Sequence, residues 1–265
     1  MLDNTKLYYE ITGEGQPIVF LHGWSSNHDC FTDVIKIMRD KYRCISYCHR
    51  GHGASDVPEG GYTIPQLARD LKELIEYLNL KDVILIGHSM GGYVIYEYIK
   101  QFGCNNIKKL VIMDMSPKVT CDNEWKSGAF GTYDEQCLKE DIELIAQDIG
   151  KFMGKLKLPD FEELPEIMAL LVTRGLKGNN HTLPLIGLWH SMFTRDYRSA
   201  VASITVPTAY VIPEHGIYPM SAAKYVKEHA GATVEIIEAP GCSHISMVEN
   251  PLQTAKDLIE FIREE

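Results

Sequence analysis

Gly87-His88-Ser89-Met90-Gly91-Gly92 places a serine among glycines, directly after the apolar run Val83-Ile84-Leu85-Ile86 and before a helical stretch over residues 93–100. This G-x-S-x-G spacing suits a nucleophile. A sharp strand-to-helix turn forces the serine backbone out of its ordinary conformations, and the flanking glycines leave room for it. The hydroxyl then stands above a sheet, at the positive end of the following helix. His22-Gly23-Trp24 follows a second apolar run, Ile18-Val19-Phe20-Leu21. A backbone N–H there, that of Trp24, can join the N–H of Met90 in holding a developing oxyanion. His244, in Gly241-Cys242-Ser243-His244, comes after the last strand pattern and before the closing helix. An imidazole at that point can reach the top of the sheet, and its ordinary pKa of about 6.5 suits a general base near neutral pH. Each feature alone has a plain structural explanation: a glycine-rich turn, a βα loop that needs glycine, a core or surface histidine. Their combination, with Ser before His along the chain, favours acyl chemistry on a serine.

These residues need a sheet to hold them. Strand-length, β-branched-rich runs recur at Pro17-Ile18-Val19-Phe20-Leu21, Cys44-Ile45-Ser46-Tyr47, Val83-Ile84-Leu85-Ile86, Leu110-Val111-Ile112-Met113 and Ala209-Tyr210-Val211-Ile212, which predicts parallel strands covered on both faces. Ahead of them, Lys6-Leu7-Tyr8-Tyr9-Glu10-Ile11-Thr12 with the Gly13-Glu14-Gly15 turn predicts an antiparallel edge hairpin. Helical patterns alternate with the strands. Thr63 is an N-cap, Pro65 lies in the first turn, and Leu67, Leu71, Leu74, Ile75 and Leu78 share a face. The class is therefore α/β with a mostly parallel sheet and helices on both faces. The alternation stops after Ser116-Pro117, and roughly ninety residues pass before a strand pattern returns near Val206. Leu138, Ile142, Ile145, Ile149, Phe152 and Leu156 fall at helical spacing within this stretch, while Pro159, Pro165, Gly175, Gly178 and Pro184 punctuate it. Residues 117–203 are expected to form a helical cap, with residues 1–116 and 204–265 as the core. The sheet resumes with two more strands, and a helix beginning at Asn250-Pro251 closes the chain.

A chain of 265 residues, 45% apolar, can bury a full core as one domain of ordinary size. A net charge of -10 disfavours nucleic acid and anionic membranes as partners. No apolar stretch approaches the ~18–20 residues of a membrane span, and Met1-Leu2-Asp3-Asn4-Thr5-Lys6 leads into no apolar segment, so a cytoplasmic protein is expected. The seven cysteines are scattered without a C-x-x-C pair and read as small buried apolar groups. The histidines lack H-E-x-x-H spacing and the glycines around Ser89 lack the lysine of a phosphate loop. No metal and no cofactor is expected, and nothing signals an oligomeric state.

Over nearly its whole length the chain resembles an α/β-hydrolase-fold serine esterase. Besides the serine turn and the His22-Gly23-Trp24 loop, Arg50-Gly51-His52-Gly53-Ala54-Ser55-Asp56 resembles the R-G-x-G-x-S loop after the family's fourth strand. Val206-Pro207-Thr208 resembles the entry to its seventh strand, and Gly241-x-x-His244 with Glu249-x-Pro251 its histidine loop. The resemblance implies an α/β-hydrolase fold with the helical cap inserted after the sixth strand, and a Ser89–His244 pair. One departure concerns the acid. The family usually carries it as G-x-x-D after the seventh strand, where this chain reads Pro213-Glu214-His215-Gly216-Ile217-Tyr218-Pro219. A subset of the family places it after the sixth strand, about 25 residues beyond the nucleophile, which corresponds here to Asp114. Asp114 is preferred, with Glu214 as the alternative acid; either could accept the second imidazole N–H.

The cap contributes Trp125, Phe130, Tyr133, Phe152, Met153, Phe161, Met168, Trp189, Met192 and Phe193. Most must pack the cap itself, but ligands of open α/β sheets bind at the strands' carboxyl ends, so some must face the crevice above Ser89. Trp24, His88, Trp125, Phe130, Trp189, Met192 and Phe193 are the candidates for a mostly apolar pocket. The expected function is hydrolysis of a small-molecule ester, lactone or thioester through an acyl-enzyme. The competing readings are a peptidase or perhydrolase of the same fold, and a ligand sensor with slow turnover.

Overall fold

The computed structural model describes residues 1–155 and 182–263; Leu156, Pro159, Phe161, Pro165, Met168, Gly175 and Gly178, singled out above, lie outside them. Among the described residues seven strands form one sheet: β1 (Tyr9–Thr12), β2 (Gln16–Leu21), β3 (Tyr42–Tyr47), β4 (Val83–His88), β5 (Ile107–Met113), β6 (Thr208–His215) and β7 (Val234–Ser243), in the order β1-β3-β2-β4-β5-β6-β7. All neighbours are parallel except β1 and β3. The expected hairpin is not formed. β1 pairs not with β2 but with the outer edge of β3, because both edges of β2 are taken by parallel partners, β3 and β4. The turn between β1 and β2 passes over the start of β3, where a side chain on Gly13 (φ 76°) would strike the carbonyl oxygens of Arg39 and Tyr42.

Alternate residues of each central strand enter opposite cores, as the strand period of two requires. Val19 and Leu21 of β2, Val83 and Leu85 of β4, and Leu110 and Ile112 of β5 face α2 (Ile64–Tyr77) and α3 (Met90–Phe102). Ile18, Phe20, Ile84, Ile86, Val111 and Met113 face α1 (Thr32–Met38) on the other side. With each such side chain contributing roughly 1.5–3 kcal/mol on burial, the sheet is fixed from both faces and its carboxyl edge becomes a rigid platform. Thr63 caps α2 through the N–H of Gln66, with Pro65 in the first turn.

Between β5 and β6 the described chain forms α4 (Glu135–Gln147), α5 (Ile149–Lys155), α6 (Thr182–Phe193) and the short α7 (Arg198–Val201). The single helical spacing from Leu138 onward is divided at Asp148, which leaves α-helical geometry (φ −160°, ψ 94°). The strand before this insertion is the fifth in this chain, where the family's own count makes it the sixth. After β6 come α8 (Met220–His229), then β7, α9 (Ser246–Glu249) and α10 (Pro251–Arg263), which packs on α1. The seven cysteines are free, and all but Cys137 are buried. Among the described residues no helix is long and apolar enough to cross a membrane.

Candidate active site

Ser89 sits between the last residue of β4 and the first of α3, at φ 52° and ψ −121°. A non-glycine residue holds such a backbone only when its surroundings dictate it. Here they do. A Cβ on Gly87 would lie within 2.6 Å of the backbone of Gly91 and Gly92, and one on Gly91 would meet the carbonyl oxygen of Leu21 at 2.2 Å. The turn therefore packs backbone on backbone, both within itself and against the end of β2. The N–H of Ser89 donates to Met113 O at 2.9 Å, tying the turn to the end of β5. Met90, as the first residue of α3, has an N–H without a partner in its own helix.

His244 follows β7 immediately, and its Nδ1 lies 2.6 Å from Oδ2 of Asp114, whose side chain is 1% exposed. Asp114 follows β5, at φ 45°. Its carboxylate also accepts the N–H groups of Ile217 (2.9 Å) and Tyr218 (3.3 Å). These donors come from the loop in which an acid is usually found. Gly216 lets that loop close around Asp114, since a Cβ there would lie 2.8 Å from both carboxylate oxygens. Glu214 is exposed and accepts the N–H of Gly241 at 2.8 Å, bracing the approach to His244. Glu249 accepts both N–H and Oγ–H of Ser243 at 2.7 Å. His88 is buried below this loop, and its Nε2 lies 2.7 Å from the carbonyl oxygen of His244.

The loop after β2 is held by three buried histidines. His22 Nδ1–H donates to Gly23 O (2.7 Å) while its Nε2 accepts the N–H of His49 (3.0 Å), and His49 Nε2–H donates back to His22 O (3.2 Å). His52 Nδ1–H donates to Arg50 O (3.2 Å), leaving Nε2 to accept the N–H of Ser25 (3.3 Å). Because His22 and His52 accept through Nε2 while donating through Nδ1, each of these two must be the neutral imidazole in one tautomer. Burial, reinforced by the neighbouring imidazoles, holds His22 far below its ordinary range and lowers His49 to about 3; burial lowers His52 to about 4. The trio is a clamp for the Gly23-Trp24-Ser25 turn, and among the described residues no group of side chains is arranged to hold a metal ion. Arg50, buried, forks onto Asp70 of α2 with two 2.6 Å bonds and reaches Asp3 at 2.8 Å, so the Arg50-Gly51-His52-Gly53 stretch has a structural part in this clamp.

A family model described as the alpha/beta hydrolase family matches residues 18–257. The chain belongs to the alpha/beta hydrolase family. It is similar to the AB hydrolase superfamily protein YisY of Bacillus subtilis (strain 168), at 30% identity over 233 residues, 85% of this chain and 84% of that one. To the non-heme chloroperoxidase CPO-A1 of Kitasatospora aureofaciens it is 37% identical over 118 residues, a stretch spanning 44% of this chain and 43% of that protein. Among solved structures it is similar to the esterase EaEST from Exiguobacterium antarcticum, with a TM-score of 0.88 and 25% identity over 99% of this chain and 97% of that one.

The hydrolase gathers part of the expected pocket set around Trp24. The Trp24 ring meets Trp189 of α6 at 4.8 Å and Phe152 of α5 at 5.7 Å, and its Nε1–H donates to Leu185 O at 2.9 Å. Phe193 stacks on Trp189 at 4.5 Å, and Met192 is buried in the same core. Trp189 Nε1–H reaches the Tyr133 hydroxyl, which donates to Asp141. Trp125 lies elsewhere, between Tyr225 of α8 and the guanidinium of Arg198. Phe130 lines an open groove with Glu214, Ile217 and Pro240. His88 takes its place beneath the histidine loop. Reasoning from the sequence misses His49 as a support, and meets Gly216 and Glu249 only as members of loop motifs, without the contacts they make with Asp114 and Ser243. Only the histidine richness of the two loops after β2 and β3 could have marked the clamp.

Proposed function

We propose that this hydrolase cleaves small, mostly apolar carboxylic esters, with lactones and thioesters as close relatives, through an acyl-enzyme on Ser89. The observation that carries the reading is the 2.6 Å contact between His244 Nδ1 and the buried Asp114, taken with the strained strand-to-helix turn that holds Ser89. Nε2 of His244 takes the Ser89 proton as Oγ attacks the carbonyl, and Asp114 fixes the tautomer and stabilises the imidazolium. The amides of Trp24 and Met90 hold the oxyanion, each such donor contributing about 3–4 kcal/mol to the transition state. The proton on His244 then passes to the departing alkoxide, and a water molecule, deprotonated by the same nitrogen, releases the acid. The described helices between β5 and β6 act as a cap over the crevice, and Trp24, Trp189, Phe152 and Phe193 make its wall apolar. With Asp114 buried and aimed at the imidazole, and Glu214 exposed and committed to Gly241, Asp114 serves as the acid.

The test is hydrolysis of p-nitrophenyl esters of increasing acyl length. Turnover is expected for short chains, and Ser89→Ala is expected to lower kcat by about 10⁶-fold; equal rates for the two proteins overturn the reading. The similarity to a non-heme chloroperoxidase favours a second acceptor: hydrogen peroxide in place of water would take the acyl group from Ser89 and leave as a peracid. Halide oxidation that requires both a carboxylic acid and peroxide, and is lost in Ser89→Ala, distinguishes the two.

A further inference from the structure

Building on the serine-hydrolase reading above, we propose that His88 is a positioning residue that sets the base against the nucleophile: its imidazole, fixed in the Nε2–H form, is a spacer between the His244 main chain and the Gly23 turn. Three observations meet in this side chain. Its Nε2 lies 2.7 Å from the carbonyl oxygen of His244, and a carbonyl only accepts, so Nε2 carries the hydrogen. Its ring lies 4.6 Å from the His244 ring, inclined by 50°. Its other nitrogen, Nδ1, is buried without a hydrogen-bond partner and faces Gly23, where a Cβ would stand 3.0 Å from Nδ1 and 3.3 Å from Cβ of Ser89. His88 thus touches the base by hydrogen bond, the oxyanion loop by van der Waals contact, and the nucleophile by peptide bond.

The Asp114 bond alone leaves the His244 ring free to pivot about the Nδ1···Oδ2 line. A second anchor on the His244 carbonyl holds the main chain from which the ring springs, so the pivot has a fixed base and the ring can turn only about its own side-chain torsions. Neutrality is part of the device. Burial, with the His244 imidazole close by, holds the pKa of His88 well below 6.5, and Nδ1, buried without a hydrogen-bond partner, has no acceptor for a second proton. An apolar residue of similar size would fill the space but leave the His244 carbonyl without its donor.

The experiment compares His88→Leu with His88→Gln, whose amide N–H reaches the same carbonyl. For p-nitrophenyl acetate, His88→Leu is expected to lower kcat about 10- to 100-fold with KM within about threefold, and His88→Gln to recover most of the loss. Unchanged kcat in His88→Leu, or equal impairment of both variants, overturns the proposal. Histidine-selective ¹⁵N NMR of the unaltered protein gives a second readout that needs neither activity nor a folded variant. His88 should show a protonated Nε2 and a bare Nδ1 throughout about pH 5.5 to 8; the other tautomer, or titration in that range, overturns it. If the unaltered protein turns over no ester, the function reading fails while the NMR still decides the His88 geometry.

Discussion

Asp114 and Glu214 are both carboxylates close in space to the histidine loop, and what separates them is what each already holds. Asp114 accepts three N–H groups, one of them from His244, whereas Glu214 accepts the backbone of Gly241. Asp114→Asn keeps the shape but offers the imidazole an amide, and kcat on a p-nitrophenyl ester is expected to fall by about 10⁴-fold, as when a triad acid loses its charge. Glu214→Gln retains an acceptor oxygen for Gly241, and its kcat should stay within about threefold of the parent. The opposite ranking in steady-state kinetics would transfer the acid to Glu214. The sequence made Ser89 and His244 readable because a nucleophile turn and a base loop leave local spacing behind. The acid was readable only as a choice of two, because the path of the 213–219 loop around Asp114 is set by packing, with Gly216 its one local trace. His88 illustrates the same limit: its partner lies 156 residues away, and no short pattern encodes that bond.

At the scale of elements, the loops after β2, β3 and β4 are joined by neutral histidines, and this makes the fold sensitive to acid. His22, His49, His52 and His88 all bind protons less readily folded than unfolded. Below their ordinary pKa of about 6.5 the unfolded chain takes up protons that the folded chain refuses, so stability is full above that value and falls as pH drops toward about 4, where His52 begins to titrate in the fold. Each group still neutral in the fold contributes up to about 1.4 kcal/mol per pH unit to this slope. Urea unfolding at pH 5 is expected to show a midpoint well below that at pH 7, and coincident midpoints would show that the imidazoles are not held neutral. The strands and α2 were plain in the sequence, since buried runs and a capped amphipathic face are local signals. The partner of β1 was not, because which strand edge stays open depends on every other pairing in the sheet.

At the scale of the whole molecule, Trp24 is where the sheet platform and the inserted helices meet, through Phe152, Trp189 and Leu185. Trp24→Ala removes a half-buried ring from that junction. The melting temperature is expected to fall by about 5–10 °C, and the preferred acyl chain to lengthen as the apolar space grows; calorimetry and the ester series check the two separately. A lower melting temperature with no change in chain-length preference would place the acyl group away from this wall.

Placing the acid at the end of β5 has a consequence for biosynthesis. On the proposed mechanism the nucleophile, both oxyanion amides and the carboxylate all precede the insertion, and His244 is the single reacting group that follows it, 130 residues after Asp114. A growing chain can therefore complete most of its sheet with an inert serine, and the chemistry switches on only when the last strand docks. Ester turnover in a translation mixture should then report only chains in which β7 and His244 have been made and have folded, with products that stop before His244 silent.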